Sequence, residues 1–423
     1  MKKAYKSRYI YFDGKVLTDK YLIFDEKVIG ISDNPEDAEK IYEKEHSIIM
    51  PAFINTHTHL PMSLFRGLAD DIPLMDWLKN YIWPAESKYL SEEFVYDATL
   101  LAACEMIHSG TVCGNDMYFY SKSIGEAIKK AGLKVVLGAG ILDFPTKFGK
   151  DIDDYLNNAL KLYEYFKGDR DVKIALSPHA PYTVSPESYK RCIKFAEKYD
   201  LLIHTHLGET MDEVNNIKQK YGKTPVLLMD EVGLFDTKSI VAHMVHLTEE
   251  EIDVVGKKSA NISHCLESNL KLGSGFANIK KYMDAGANVS IGTDGSASNN
   301  DLDMLGELST VAKFHKGLNL DPTVLDAATV IDMATKNAAR GLFWENCGEL
   351  KKGFYADFIV VKFDDPFTVP VFNPVSQVVY SAKSRNIVDL FVNGEPVMMN
   401  GKITTIDENE VIEKARWWGD KIQ

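Results

Sequence analysis

The sequence predicts an α/β protein, a (β/α)8 TIM-type barrel joined to a small β-sandwich domain formed by both termini. Three observations carry this. Short apolar runs alternate eight times with longer amphipathic stretches over about 250 residues, the rhythm of parallel strands crossed by helices. Both ends of the chain instead show short alternating segments broken by Asp-Gly and Asn-Gly turns. Histidines and carboxylates gather where the apolar runs end, and barrels of this kind place their chemistry at the C-terminal ends of their strands. The expected division is 1–46 for the N-terminal part of the β domain, 47–350 for the barrel and 351–423 for the C-terminal part.

At the N-terminus Tyr9-Ile10-Tyr11-Phe12 runs into Asp13-Gly14, which suits a type I′ hairpin because both central residues need positive φ. Tyr21-Leu22-Ile23-Phe24, Asp25-Glu26-Lys27 and Val28-Ile29-Gly30-Ile31 continue the pattern. The C-terminal counterparts are Ala356-Asp357-Phe358-Ile359-Val360-Val361, Leu390-Phe391-Val392-Asn393-Gly394 and Asn400-Gly401-Lys402-Ile403. The two ends are expected to pair into one sheet domain. Between them the eight runs are 48–54, 111–115, 134–138, 172–176, 201–205, 239–242, 259–262 and 288–292, with amphipathic stretches such as 93–108, 188–198 and 278–285. The connection after the first run, from Leu60 to Glu92, is long and carries Trp77, Trp83 and Pro84, which marks it as a shaper of the pocket mouth.

With 48 basic against 61 acidic side chains the net charge is −13, which argues against a nucleic-acid or anionic-membrane surface. Five scattered cysteines without a C-x-x-C pattern suggest neither a disulfide framework nor a thiolate zinc site, so a reducing cytoplasm is expected. No signal-like leader and no apolar stretch of about 18 residues is found, so no export and no membrane partner are expected.

The main chemical signal is Asn55-Thr56-His57-Thr58-His59. Residues two apart on a strand share a face, so His57 and His59 aim two imidazoles at one point; two exposed polar residues in a turn is the plain alternative for this pair taken alone. The fifth run ends in His204-Thr205-His206 and continues Leu207-Gly208-Glu209. His206 falls at the strand end, His204 sits one layer deeper as a hydrogen-bonded core histidine, and Glu209 is placed to curl back over water at a metal. The sixth run leads to His243 and the eighth to Thr293-Asp294-Gly295. His57, His59, His206 and Asp294 make an N3O set that suits Zn²⁺, or Fe²⁺, with one open position. His243 then stands across that position from Glu209. His246 reads as a loop residue, His264 beside Cys265 as a mouth or packing residue, and His108 and His315 as surface or core filler. Thr248 with Glu251 three residues later reads as a helix cap. Ser177-Pro178-His179-Ala180-Pro181-Tyr182 ends the fourth run without the lysine that bridges two ions in binuclear barrel hydrolases, so one metal is expected.

These residues, with their surroundings, resemble the amidohydrolase superfamily and, within it, the 5-methylthioadenosine/S-adenosylhomocysteine deaminase group, which includes 5′-deoxyadenosine deaminases. The resemblance covers nearly the whole chain. It rests on Pro51-Ala52-Phe53-Ile54-Asn55-Thr56-His57-Thr58-His59, Phe65-Arg66-Gly67-Leu68-Ala69-Asp70-Asp71, Trp83-Pro84-Ala85-Glu86 and Ser177-Pro178-His179-Ala180-Pro181-Tyr182. It continues through His206-Leu207-Gly208-Glu209, Ser268-Asn269-Leu270-Lys271-Leu272, Gly292-Thr293-Asp294-Gly295-Ser296-Ala297-Ser298-Asn299-Asn300 and Ala356-Asp357.

The resemblance implies hydrolytic deamination of adenine nucleosides, in salvage of S-adenosylmethionine by-products, by a homo-oligomer with one divalent metal per subunit, Zn²⁺ or alternatively Fe²⁺. It implies that His57, His59, His206 and Asp294 are the ligands, Glu209 the proton shuttle, and His243 the residue steadying water. Glu86 would contact ribose hydroxyls and His179 the purine nucleoside; the plain reading of Glu86 is a solvated acid at a helix start. Two departures stand out. No arginine lies between Gly138 and Arg170 to meet an amino-acid carboxylate, which favours small uncharged 5′ groups (5′-deoxyadenosine, 5′-methylthioadenosine, adenosine) over S-adenosylhomocysteine. Cys265-Leu266-Glu267-Ser268 lacks a proline after the cysteine, a matter of local loop shape. The alternatives are a mononuclear amidohydrolase acting on guanine, cytosine, an s-triazine or a cyclic amide, or a non-catalytic protein on the same fold. The second is disfavoured because the whole donor set is present. A nucleic-acid base deaminase is disfavoured because its H-x-E…P-C-x-x-C signature is absent.

Overall fold

Period-two alternation at the N-terminus forms β1 (Lys3–Phe12), β2 (Lys15–Phe24), β3 (Val28–Ser32) and β4 (Lys40–Pro51) in the computed structural model, which describes residues 1–423. Asp13 and Gly14 turn β1 into β2 with φ of 47° and 72°, the two positive values a type I′ turn requires. The barrel strands follow: β5 (Phe53–Thr58), β6 (Thr111–Tyr118), β7 (Lys134–Ile141), β8 (Val172–Pro178), β9 (Leu202–Leu207), β10 (Ser239–His243), β11 (Asn261–His264) and β12 (Asn288–Ile291). They lie side by side in chain order and all pairs are parallel. The ring closes just past β12, where the Asp294 N–H donates to the His57 carbonyl at 3.0 Å and Thr58 bridges to Asp294.

The first apolar run divides between two sheets. Ile48, Ile49 and Met50 belong to β4, while the barrel strand begins at Phe53 and carries on through polar residues to Thr58. Those polar residues stay buried because they bond one another across the ring. Asn55 Nδ2 donates to Thr293 Oγ1 at 2.7 Å, and Thr56 Oγ1 lies 2.6 Å from Ser263 Oγ. Helices Glu92–His108, Pro186–Tyr199 and Ile279–Ala285 occupy the amphipathic stretches. Helix Glu249–Lys257 opens with a reciprocal cap, Thr248 N–H to Glu251 Oε2 at 2.7 Å and Glu251 N–H to Thr248 Oγ1 at 3.3 Å. No helix is long and apolar enough to cross a membrane.

The C-terminus returns as β13 (Phe358–Lys362), β14 (Ile387–Val392), β15 (Glu395–Met399) and β16 (Lys402–Ile403), and the terminal sheet has the order β16-β15-β14-β13-β4-β1-β2-β3. Alternate residues serve different cores. Tyr5, Phe24, Phe358 and Phe391 form an aromatic cluster, with Phe358 stacked on Phe391 at 4.5 Å, while Ile48, Met50, Ile359 and Val361 join the barrel core.

Lys134, the first residue of β7, pairs with Asp357, the residue before β13, and both are buried. Asp357 also accepts the Asn393 N–H at 2.7 Å. Burial disfavours a charged Lys134, but the Asp357 carboxylate outweighs it and raises the ammonium above its usual value. Asp357→Ala strands that ammonium, so folding stability is expected to fall by about 3–5 kcal/mol. A denaturant titration with an unshifted midpoint would show that this pair does not tie the barrel to the terminal sheet.

Candidate metal centre and active site

His57 and His59 lie two apart on β5 and share a face. Their Nε2 atoms stand 3.4 and 3.2 Å from Asp294 Oδ1, and His206 Nε2 is 3.3 Å from His59 Nε2. The donor atoms of His57, His59 and Asp294 lie within 4.8 Å of one another, as do those of His57, His206 and His243. The strand ends bring these side chains together by close backbone approach. A Cβ on Gly292 would sit 2.8 Å from the His57 nitrogen, so glycine is needed there. Asp294 and His243 adopt positive φ, 65° and 73°, a conformation non-glycine residues hold mainly where surrounding structure enforces it.

Outer partners fix how the rings face. His59 Nδ1 donates to the Met117 carbonyl at 2.6 Å and His206 Nδ1 to the His179 carbonyl at 2.7 Å, which turns both Nε2 atoms inward. His57 Nδ1 is 2.8 Å from His204 Nε2, so His204 is the deeper supporting histidine, and the buried His57 Nε2 has no hydrogen-bond partner. Asp294 Oδ2 accepts from Ser268 Oγ at 2.6 Å. Burial pushes His57 down to about 4 and His206 well below its usual value, which favours neutral imidazoles. His59 meets the same penalty, but Asp294 outweighs it and holds this ring up at about 9; a divalent cation competes with that proton and releases it on binding. An orphaned nitrogen among imidazole nitrogens and a carboxylate oxygen fits a divalent metal of N3O ligation.

Glu209 follows β9 through Gly208. Its Oε2 lies 4.0 Å from His243 Nε2 and its Oε1 accepts from Ser274 Oγ at 3.3 Å. Burial raises this carboxyl above its usual range, with the His243 charge drawing it partly back. His243 is oriented by Nδ1, 2.8 Å from Asn269 Oδ1. Glu213 accepts the Gly208 and Glu209 N–H groups at 2.9 and 3.0 Å, which holds the turn that aims Glu209. Glu213 is not among the residues predicted for the site, although Thr210-x-x-Glu213 is a cap pattern in the sequence. Ser268 and Asn269, which the sequence marks without a role, are buried partners of Asp294 and His243.

A cavity of about 570 Å³ opens over these groups, within the range of small-ligand sites. Glu86 and His179 line it together with His59, Glu209, His243 and Asp294. Glu86 is not a solvated acid: its Oε1 accepts from Tyr118 OH at 2.5 Å, and burial pushes it up to about 7. His179 is lowered to about 4 by burial, and its Nδ1 is 2.9 Å from Thr183 Oγ1. Ser177 lines the cavity at the end of β8, where a bridging lysine is absent. The loop after β7 brings no arginine but does bring Lys147, whose ammonium donates to the Leu90 carbonyl at 2.9 Å on the cavity wall. The remaining histidines stand apart. His264 packs against His315 at 3.1 Å, His246 Nε2 lies 2.7 Å from the Ser274 carbonyl, and His108 is 2.7 Å from Glu408.

Comparison with known proteins matches residues 48–397 to the amidohydrolase family. The chain is 46% identical over 384 residues to a 5-methylthioadenosine/S-adenosylhomocysteine deaminase of Thermodesulfovibrio yellowstonii, covering 90% of this chain and 88% of that one. It is 45% identical over 383 residues to a 5′-deoxyadenosine deaminase of Methanocaldococcus jannaschii, covering 90% of each. Among solved structures, an adenosine deaminase from Xanthomonas campestris with bound zinc superposes with a TM-score of 0.97 at 35% identity, over 99% of this chain and 98% of that one.

Proposed function

The chain belongs to the amidohydrolase family, and from that premise we propose that it hydrolyses the 6-amino group of adenine nucleosides, giving an inosine-type product and ammonia. The observation that carries this reading is a single cavity lined by three of the four proposed ligands (His59, His206 and Asp294), by Glu209 and His243, and by Glu86 and His179. The deaminase names of the relatives support it. The family is metal-dependent; the proposed ion is Zn²⁺, as in the similar adenosine deaminase structure, with Fe²⁺ the alternative, held by His57, His59, His206 and Asp294. When bound, it supplies the Lewis acidity that brings the pKa of water from about 15.7 toward about 7.

Glu209 takes a proton from water at its carboxylate and passes it to N1 of the purine, which makes C6 electrophilic. Its raised proton affinity suits a group that must both accept and donate near neutral pH. His243, held at Nδ1 by Asn269, presents Nε2 beside Glu209 and, with Asp294, steadies the oxygen as it adds to C6. Glu209 then takes the remaining proton from the new C6 hydroxyl and delivers it to the amino group, so that the C6–N bond breaks, C6=O forms, ammonia leaves and N1 keeps its proton. Glu86, fixed by Tyr118, accepts from the ribose hydroxyls, and the free Nε2 of His179 meets the nucleoside.

Small uncharged 5′ groups are favoured, because the one cation on the wall, Lys147, already serves the Leu90 carbonyl. Substrates of that kind place the enzyme in salvage of S-adenosylmethionine by-products. A cytoplasmic homo-oligomer is the expected setting, and five buried unpaired cysteines suit a reducing compartment. The test is a metal assay coupled to a nucleoside panel varied at the 5′ position and followed by ultraviolet absorbance and ammonia release. 5′-Deoxyadenosine is expected to give higher kcat/KM than S-adenosylhomocysteine, and the reverse order would refute the preference. Ammonia from guanine, cytosine, an s-triazine or a cyclic amide, with none from adenine nucleosides, would replace the function itself.

A further inference from the structure

The roof of the cavity is the arm between β5 and helix Glu92–His108. It consists of short turns, Leu60–Phe65, Leu74–Trp77, a π-helical turn Leu78–Ile82, and Trp83–Tyr89. Leu74, Trp77, Leu78, Ile82 and Trp83 face the cavity, and Glu86 hangs from the end of the same stretch. The reacting groups line the same cavity, with His243 only 2% exposed, so a nucleoside bound there lies against this roof. Apolar packing holds most of the arm: Trp77 and Ile82 are buried. Between residues 67 and 85 the only hydrogen bonds or ion pairs to residues beyond the arm are those of Asp70.

Asp70 Oδ1 lies 2.7 Å from Lys271 Nζ, and Asn300 Nδ2 donates to Asp70 Oδ2 at 3.4 Å. Lys271 also donates to the Ala297 carbonyl at 3.3 Å and to Asn300 Oδ1. Three segments that the sequence marks separately, around Asp70, Lys271 and Asn300, thus meet in one cluster at the rim. Leu272 and Ser298, beside two of these residues, line the same cavity. We propose that Asp70 and Lys271 are positioning residues whose ion pair, joined by Asn300, clasps the roof to the rim that follows β11 and β12 and thereby sets Glu86 and the apolar roof against the bound nucleoside. The proposal rests on the nucleoside reading above. A single polar tether between residues 67 and 85, a stretch otherwise held by apolar packing, lets that part of the roof lift for exchange and return to one register. A π-helical turn within the arm is a feature that recurs at functional sites.

The test compares metal-loaded wild type, Asp70→Asn, Lys271→Met and Lys271→Arg by kinetics with 5′-deoxyadenosine and by hydrogen exchange of the segment 67–85. Asp70→Asn and Lys271→Met are expected to raise KM by roughly threefold to tenfold, the scale of a small exposed ion-pair network, with kcat changed by less than about twofold. Bound metal is expected to stay constant and exchange in the segment to quicken. Lys271→Arg, which keeps the charge and donors, is expected to return both readouts close to wild type. Unchanged KM and exchange in Asp70→Asn and Lys271→Met would overturn the clasp, as would a Lys271→Arg variant as impaired as Lys271→Met. If the wild type deaminates no adenine nucleoside, the functional reading fails, and the exchange data still decide whether the tether exists.

Discussion

Glu209→Gln is expected to retain its metal and lose between about 10² and 10⁴ in turnover, the contribution of a positioned general acid–base. The replacement keeps the shape of the side chain and can still accept from Ser274 Oγ. The Glu213 carboxylate holds the backbone N–H groups of Gly208 and Glu209 and not the Glu209 side chain, so the turn survives. What disappears is the capacity to take a proton from water and move it to the ring. The pH profile gives a second readout. Burial raises the wild-type carboxyl, so activity is lost as pH falls through that raised value and the base becomes protonated. In the variant this limb should vanish along with most of the rate. Turnover near wild type in metal-replete enzyme would remove Glu209 from the shuttle role.

His57→Ala is expected to lose metal as well as activity. Replacing an outer hydrogen-bond partner of a metal ligand typically costs about 10–100-fold in affinity, and removal of a ligand itself should exceed that. The position is unforgiving. His57 Nε2 is a buried nitrogen without a hydrogen-bond partner, and truncation would leave His204 Nε2 unpaired as well. Competition with a chelator, followed by metal analysis of the recovered protein, measures the loss. Full occupancy in the variant would show that the site holds its ion without this imidazole.

The two textures of the chain were readable because each has its own period. The Asp13-Gly14 and Asn393-Gly394 turns announce hairpins through backbone geometry that few other pairs adopt. The strand ends were harder to place, since β6, β7 and β8 run on to Tyr118, Ile141 and Pro178, past the apolar stretches that mark them. Their added residues mix apolar side chains such as Met117 and Ile141 with buried polar ones such as Asp116 and Ser177, which breaks the apolar run that marks a strand. Apolarity also hid the passage from β4 to β5, because Met50 and Phe53 look alike yet serve different sheets. In the site, parity along one strand made His57 and His59 legible as a pair. Lys147 and the role of Asn269 depend on where distant segments travel, which no short window of sequence records. His264 illustrates the limit from the other side. It ends β11 as His243 ends β10, yet its ring turns toward His315 in a neighbouring helix.

The barrel's seam runs through its chemistry. The bond that joins first strand to last links the backbones of His57 and Asp294, two of the proposed ligands. An ion gripped there acts as a rivet across the join, so loading with metal and resistance to unzipping become one thermodynamic variable, and scarcity of the ion weakens the vessel as well as silencing it.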